Sequence, residues 1–329
     1  MPPLVSICIP TFQRAGQLAP TLARVAEVIT NGGWQDRVEI CLSDNASADD
    51  TPAVIAAFQP VGLAVKKFRQ GKNVGFSRNL RTVAGMARGE YLLFQGDDDA
   101  LASGVCATLK HALAEHPAVA LFSTLPDQPM DGDWSARREV RWLADGREIA
   151  RVLGIFHLTF LGNFVVRRAD YLAHDEESFC ASLYPHVAVL FRILSHERAK
   201  WVPEPLFEFE EQFKGWNQPL LTAVDLTRVY ADGLIVPTGD RAFARALYDR
   251  TVRSIPRAFL NRKLGRPDKP GNKYMSLALA NLLACYRFSA KHRALAFAYW
   301  FGGNVLPAPL LRAALGEKPR KVKFEDLEK

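Results

Sequence analysis

Four short apolar runs alternate with stretches of helical spacing over the first 95 residues, and this alternation limits the fold more than any other feature. Val5-Ser6-Ile7-Cys8-Ile9 reads as a buried strand closed by Pro10, and residues 17–29 place apolar side chains at helical steps. Val38-Glu39-Ile40-Cys41-Leu42 reads as a second strand, followed by Asp44-Asn45-Ala46-Ser47 and a helix over about 51–58. A third strand covers about 64–68, a helix over about 76–87 follows Asn73-Val74-Gly75, and the fourth strand is 90–95. Strand followed by helix, repeated, predicts a Rossmann-like α/β layer with a mainly parallel sheet and right-handed crossovers.

The fourth strand ends in Gln95-Gly96-Asp97-Asp98-Asp99-Ala100-Leu101. Three adjacent carboxylates repel one another unless a cation is shared, and Mg²⁺ or Mn²⁺ takes oxygen ligands from one or two carboxylates plus substrate phosphates. Open α/β sheets bind ligands just beyond the carboxyl ends of their strands, where this run falls. The run therefore reads either as a metal-diphosphate site or as a solvated acidic turn capping the helix that starts near Ser103.

Downstream, a helix over about 103–115 leads to the strand Val119-Ala120-Leu121-Phe122, and residues 125–142 read as a loop excursion. Residues 183–196 read as a helix, and Trp201-Val202-Pro203-Glu204-Pro205-Leu206 as an edge strand interrupted by prolines. Beyond about 216 the pattern is mostly helical and basic. The 329 residues thus divide into 1–215, the α/β part, and 216–329, a basic and mostly helical region.

Charge is distributed unevenly. Residues 1–219 hold 22 Lys+Arg against 26 Asp+Glu, whereas residues 220–329 hold 20 against 9. An excess of +11 in the second part predicts an anionic partner there, a membrane surface rather than nucleic acid, since no nucleic-acid-binding motif accompanies it. Residues 294–311 carry no charge, but Gly302-Gly303-Asn304 and Pro307 break the stretch; it reads as an interfacial segment or a buried helix, not a single transmembrane helix. The five cysteines have no C-x-x-C spacing, which excludes the usual zinc and disulfide frameworks. With no signal-peptide pattern, the expected location is the cytoplasm, peripheral on the inner face of the cytoplasmic membrane.

Three segments combine with the acidic run. They are Pro10-Thr11-Phe12-Gln13-Arg14, Ser43-Asp44-Asn45-Ala46-Ser47 and Asn73-Val74-Gly75-Phe76-Ser77-Arg78-Asn79. Together they resemble the family 2 glycosyltransferases of GT-A fold over about residues 4–210. The resemblance implies an inverting enzyme that moves a sugar from a nucleotide diphosphate to an acceptor hydroxyl. It places Pro10, Thr11 and Arg14 at the nucleoside and phosphates, and gives Asp44 and Asn45 the base. Asn73, Gly75, Arg78 and Asn79 would line the same pocket. In the acidic run it implies Asp98 at the ribose and Asp99 on Mg²⁺ or Mn²⁺, with Asp97 as a second metal candidate. Gly96 stands where the family commonly has another carboxylate.

The family often supplies its base as an aspartate at a helix start, six residues before an arginine. Counting back from Arg192 puts His186 there, and histidine is a competent base near neutral pH. Tyr184-Pro185-His186 resembles the abequosyltransferase-like branch, whose members act on deoxysugars in O-antigen assembly; Asp175, Glu176 and Glu177 are competing sources of the base. The expected partners are a nucleotide-diphosphate sugar donor and a glycan or polyprenyl-diphosphate-linked acceptor. Two rival readings are a sugar-nucleotidyltransferase, for which residues 10–16 lack the Gly-rich loop and lysine, and a non-catalytic membrane-surface adaptor.

Overall fold

The computed structural model describes residues 2–123, 139–145, 148–149 and 157–208, with scattered positions between 294 and 313. The chain divides into two compact units, Met1–Lys214 with Val229–Ala244, and Gly215–Arg228 with Arg245–Lys329.

In the first unit the strands β1 (Val5–Thr11), β2 (Val38–Asp44), β3 (Ala64–Arg69) and β4 (Tyr91–Phe94) are joined by the helices α1 (Ala15–Asn31), α2 (Thr51–Ala57) and α3 (Phe76–Met86). β1 pairs in parallel with β2 and β4, and β2 with β3. Every residue of β1 and β2 is buried, which is why these runs are nearly all apolar rather than alternating. On one face Val5, Ile7 and Ile9 join a core with Leu18, Leu22 and Val25 of α1. On the other, Cys8 Sγ lies 3.8 Å from Val83 O in α3.

After β4 come β5 (Ala100–Leu101), α4 (Val105–Leu113), β6 (Val119–Ser123), β7 (Arg141–Leu143) and β8 (Phe164–Arg167). α5 (Arg168–His174), α6 (Pro185–Ile193), β9 (Ala199–Pro205) and β10 (Phe207–Glu208) follow. The main sheet has eight strands in the order β3-β2-β1-β4-β8-β6-β9-β7, and β5 pairs with β10 in a second, two-stranded sheet. β8 is antiparallel to both β4 and β6, while β6 and β9 are parallel. This is a mixed, mainly parallel GT-A sheet flanked by helices. The expected helical extension falls almost wholly outside the described residues.

Three local expectations are corrected. β1 is not closed by Pro10 but runs through it to Thr11. Cys8 O accepts from Gln95 N on the β4 side, so the period of two puts the missing N–H of Pro10 on that side, beyond the last β4 pair. β9 is not an edge strand but lies between β6 and β7. Its prolines are accommodated because β7 pairs only with Ala199 to Trp201, leaving Pro203 and Pro205 free on that side. Finally, Arg141 and Trp142, expected in a loop excursion, open β7.

At the N-terminal edge of the sheet, Glu39 is fully buried. Its Oε1 accepts from Ser6 Oγ at 2.7 Å, Arg88 N at 2.5 Å and Gly89 N at 3.3 Å, and Lys66 Nζ lies 3.4 Å from Oε2. Burial alone would raise this carboxyl, but the Ser6 and Arg88 hydrogen bonds and the Lys66 charge outweigh it and hold the group below the usual range.

Candidate functional site

Because β1, β2, β3 and β4 run in parallel, their carboxyl ends open along one edge of the sheet. Register puts Thr11 beside Asp44 and Asp44 beside Arg69. Backbone bonds tie the ends together, with Asn45 N donating to Thr11 O at 2.9 Å and Gln70 N to Asp44 O at 2.8 Å.

Asp44 is 1% exposed. Its Oδ1 accepts from Ser47 N at 3.0 Å and Ser47 Oγ at 2.5 Å, so the Asx turn that is the plainest reading of Asp-Asn-Ala-Ser is present. The second oxygen is different. Arg69 Nε lies 3.1 Å from Oδ2 but out of line for a hydrogen bond, leaving a buried carboxylate oxygen without a donor. Asp44 thus builds the turn and still offers an acceptor. Arg69 was missed by sequence reasoning, whose third strand stopped near residue 68, one short of it. Two non-glycine residues in these loops, Gln13 (φ +53°) and Ala46 (φ +62°), are left-handed, a conformation that clusters at ligand sites.

The 73–79 segment is wired to the same loops. Asn45 Nδ2 donates to Asn73 Oδ1 and Asn45 Oδ1 accepts from Val74 N, both at 2.9 Å. Gly75 caps α3 at φ +84°, which explains the glycine there. Asn79 is 2% exposed and holds the strand ends together, donating to Ser43 O at 2.8 Å and accepting from Ser43 Oγ at 2.7 Å. Arg78 turns to the other side, with Nε 2.7 Å from Glu177. Asn79 and Arg78 are therefore engaged within the protein rather than free to line a pocket.

The acidic run sits next to Thr11 and Arg14. Thr11 Oγ1 donates to Asp97 Oδ2 at 2.7 Å, and Arg14 Nη1 lies 3.5 Å from Asp98 Oδ2, with 41% of each of these two side chains exposed. Asp99 Oδ2 accepts from Gly96 N at 3.0 Å. Burial, and then the Asp98 and Asp97 charges, raise Asp99 to about 7. Burial also raises Asp97, against the Thr11 hydrogen bond. The carboxylates are thus charge-rich, half-buried and short of cations, which suits a hard divalent ion. Among the described residues no three His, Cys, Asp or Glu side chains converge to hold an ion.

The absent carboxylate at position 96 has a steric explanation. A Cβ on Gly96 would stand 2.5 Å from Asp99 Oδ2 and 3.0 Å from its Cγ. Gly96→Ala is accordingly expected to displace the Asp99 carboxylate and weaken Mn²⁺ binding by about tenfold, although it removes no ligand. Isothermal titration with Mn²⁺ and a nucleoside diphosphate checks this, and unchanged affinity would count against it.

His186 is 1% exposed and lies beneath aromatic rings, stacked on Phe164 with centroids 5.7 Å apart. Its Nε2 is 3.3 Å from Thr159 O, while Nδ1 has no partner. Burial lowers it to about 4, so the imidazole is neutral at pH 7. Phe164 opens β8 beside the carboxyl end of β4, its ring 5.9 Å from Phe94, so His186 packs under that end of the sheet. The competing carboxylates are all paired, Asp175 with Arg81 at 2.7 Å, Glu176 with Arg192, and Glu177 with Arg78 and Arg81. Ser77 Oγ also donates to Ser182 O, so the segment 175–184 is fastened onto α3.

Thr11, Asp44 and the acidic run thus meet along the carboxyl edge of one sheet. The model of glycosyl transferase family 2 matches residues 6–189, and the chain belongs to that family. It is 27% identical over 217 residues to abequosyltransferase RfbV of Salmonella typhimurium, covering 58% of this chain and 61% of that protein. It is 34% identical over 108 residues to the GalNAc(5)-diNAcBac-PP-undecaprenol beta-1,3-glucosyltransferase of Campylobacter jejuni, covering 32% and 33%. The matches therefore span less than two thirds of these relatives. Among solved structures, S. aureus TarS 1-349 in complex with UDP-GlcNAc has a TM-score of 0.60 at 15% identity, covering 97% of this chain and 93% of that one. Mannosyltransferase PcManGT from Pyrobaculum calidifontis, in complex with GDP-Man and Mn2+, has a TM-score of 0.56 at 16% identity, covering 97% and 89%.

Proposed function

We propose that the chain is an inverting, metal-dependent glycosyltransferase. It transfers a hexose or deoxyhexose from a nucleotide diphosphate to a hydroxyl of a lipid-linked glycan at the cytoplasmic membrane face, in O-antigen or other surface polysaccharide assembly. Residues 1–215 carry the chemistry and the basic 216–329 serve the acceptor side. The carrying observation is the meeting of a buried Asp44 oxygen that lacks a donor with an under-neutralised acidic run on one sheet edge. The names of the similar proteins agree: two are glycosyltransferases, one on an undecaprenol-linked substrate, and solved relatives are complexed with UDP-GlcNAc or with GDP-Man and Mn2+.

In this reading Asp44 Oδ2 accepts an N–H of the base, and Pro10, Thr11, Asn45 and Asn73 shape the loops around the nucleoside. Arg14 and Asp98 face the ribose and phosphates, with Asn79 and Gly75 holding the loops in place. Asp99, with Asp97 beside it, would hold Mg²⁺ or Mn²⁺. When bound, that ion supplies charge neutralisation to the departing diphosphate. Arg78 reaches phosphate only by leaving Glu177, which makes the 175–184 segment a partner of donor binding.

The acceptor hydroxyl must lose its proton as it attacks. His186 is assigned that task because its Nδ1 lone pair is uncommitted. His186→Ala is expected to lower kcat by about 10²–10³ with donor affinity unchanged. If Asp175→Asn does so instead and His186→Ala does not, the base is the carboxylate. The overall reading is tested by a thermal-shift screen of UDP, GDP and dTDP with Mn²⁺. Stabilisation that Asp44→Ala removes supports it, and no stabilisation by any nucleotide overturns it.

A further inference from the structure

Every described residue between 294 and 313 is apolar and exposed, the large ones being Phe297 at 45%, Phe301 at 40%, Val305 at 52% and Leu310 at 60%. Positions 294, 297, 298 and 301 are helical, and Val305 N donates to Phe301 O at 2.8 Å, continuing the turn. At 3.6 residues per turn these positions and 305 fall in a single stripe about 100° wide. The Phe297 and Phe301 rings stack with centroids 6.2 Å apart. Exposed apolar faces of this kind on water-soluble proteins mark contact surfaces.

The charge around the stripe indicates the occupant. Residues 294–311 hold no side chain charged at pH 7, while Lys291 and Arg293 precede them and Arg312, Lys318, Arg320 and Lys321, with one carboxylate at Glu317, follow. An uncharged apolar stripe bracketed by cations matches the boundary of an anionic bilayer, with side chains in the acyl region and lysines and arginines at headgroup level. Among the described residues no helix is long and apolar enough to cross a membrane.

From this we infer that Phe297, Phe301 and Val305 form an insertion face that, with the exposed Leu310 beyond it, seats the chain in the surface of an anionic phospholipid bilayer. The inference rests on the proposed lipid-linked acceptor, and it gives the expected membrane association a specific surface.

The test is flotation of the full chain with vesicles of phosphatidylcholine alone or with phosphatidylglycerol at about one third, a content at which the surface potential favours basic segments. Wild type is expected to float with the anionic vesicles. Phe301→Ser, Val305→Ser and Leu310→Ser together should cut the floated fraction about tenfold, by loss of buried apolar area. Lys291→Glu with Arg293→Glu, which leaves the apolar face intact, should cut binding to anionic vesicles and lessen the salt sensitivity of what remains. The same proteins are assayed for nucleotide-diphosphate stabilisation with Mn²⁺. Failure of wild type to float, with that stabilisation intact, overturns the insertion face and leaves the transferase reading standing. Equal flotation of the serine variant overturns it too. So does a concentration-dependent wild-type dimer that the serine variant loses without any flotation, which would assign the face to a second copy of the chain.

Discussion

Asp99→Asn is expected to lower sugar transfer by about 10³-fold while making the ligand-free protein more stable above neutral pH. The two effects have one origin. Asp99 is pushed up to about 7 by burial and by the neighbouring Asp98 and Asp97 charges, against an ordinary value of about 3.9 in an unfolded chain. The folded protein therefore holds this proton more tightly than the unfolded one. The stability contributed by that proton is full below about pH 4 and is lost as pH rises through about 7. Asparagine cannot ionise, so the variant keeps what the wild type loses. Melting temperatures at pH 8 should favour Asp99→Asn, and the advantage should shrink toward pH 4. Mn²⁺ affinity of the wild type should climb with pH up to about 7 and then level, because ion and proton compete for one carboxylate. A variant that is no more stable than wild type at pH 8, or that turns over normally, removes Asp99 from the role proposed for it.

Gly89→Ala is expected to be the most damaging single-methyl change at the other edge of the sheet. A Cβ there would stand 2.7 Å from Ser6 N, 2.7 Å from Ser6 Oγ and 2.9 Å from Val5 C. Two of these are backbone atoms of a fully buried strand, so no side chain can swing away to make room. Gly89 N also donates to Ser6 Oγ at 2.9 Å, within the cluster that satisfies the buried Glu39 carboxylate. Any shift that relieves the clash loosens donors from a group that burial already strains. A loss of about 3 kcal/mol is expected in urea denaturation. Donor affinity of the molecules that remain folded should not change, since the cluster lies at the opposite ends of β1 and β2 from Thr11 and Asp44. A loss below about 0.5 kcal/mol, the level of an ordinary surface substitution, would show that the strand ends give way more easily than their packing implies.

How much of this was legible in the residues follows from the physics of each element. β1, β2 and β4 were readable because strands buried on both faces are nearly continuous apolar runs. β5, β7 and β10 have only two or three residues each, too few for any period to show. β9 was misplaced at an edge because its prolines mark a local lack of pairing, not the end of the sheet. At the site, the Asp44 turn was visible in Asp-Asn-Ala-Ser, but the donorless second oxygen depends on where β3 brings Arg69, and that is a matter of register between distant segments. Burial of His186 depends on Phe164 and Thr159, and the turning of Arg78 toward Glu177 on packing between α3 and the 175–184 segment; neither carries a local signature.

β8, antiparallel to β4, divides the main sheet there into β3-β2-β1-β4, drawn from residues 5–94, and β8-β6-β9-β7, drawn from later stretches of chain. Within the described strands, the first group closes on its own pairings before any later residue is needed. Within the main sheet the second group pairs with the first only through β4 and β8. A lineage can rework the half of the sheet that follows the acidic run, by insertion or recombination, while the first half keeps its strand pairings and its carboxyl-end loops.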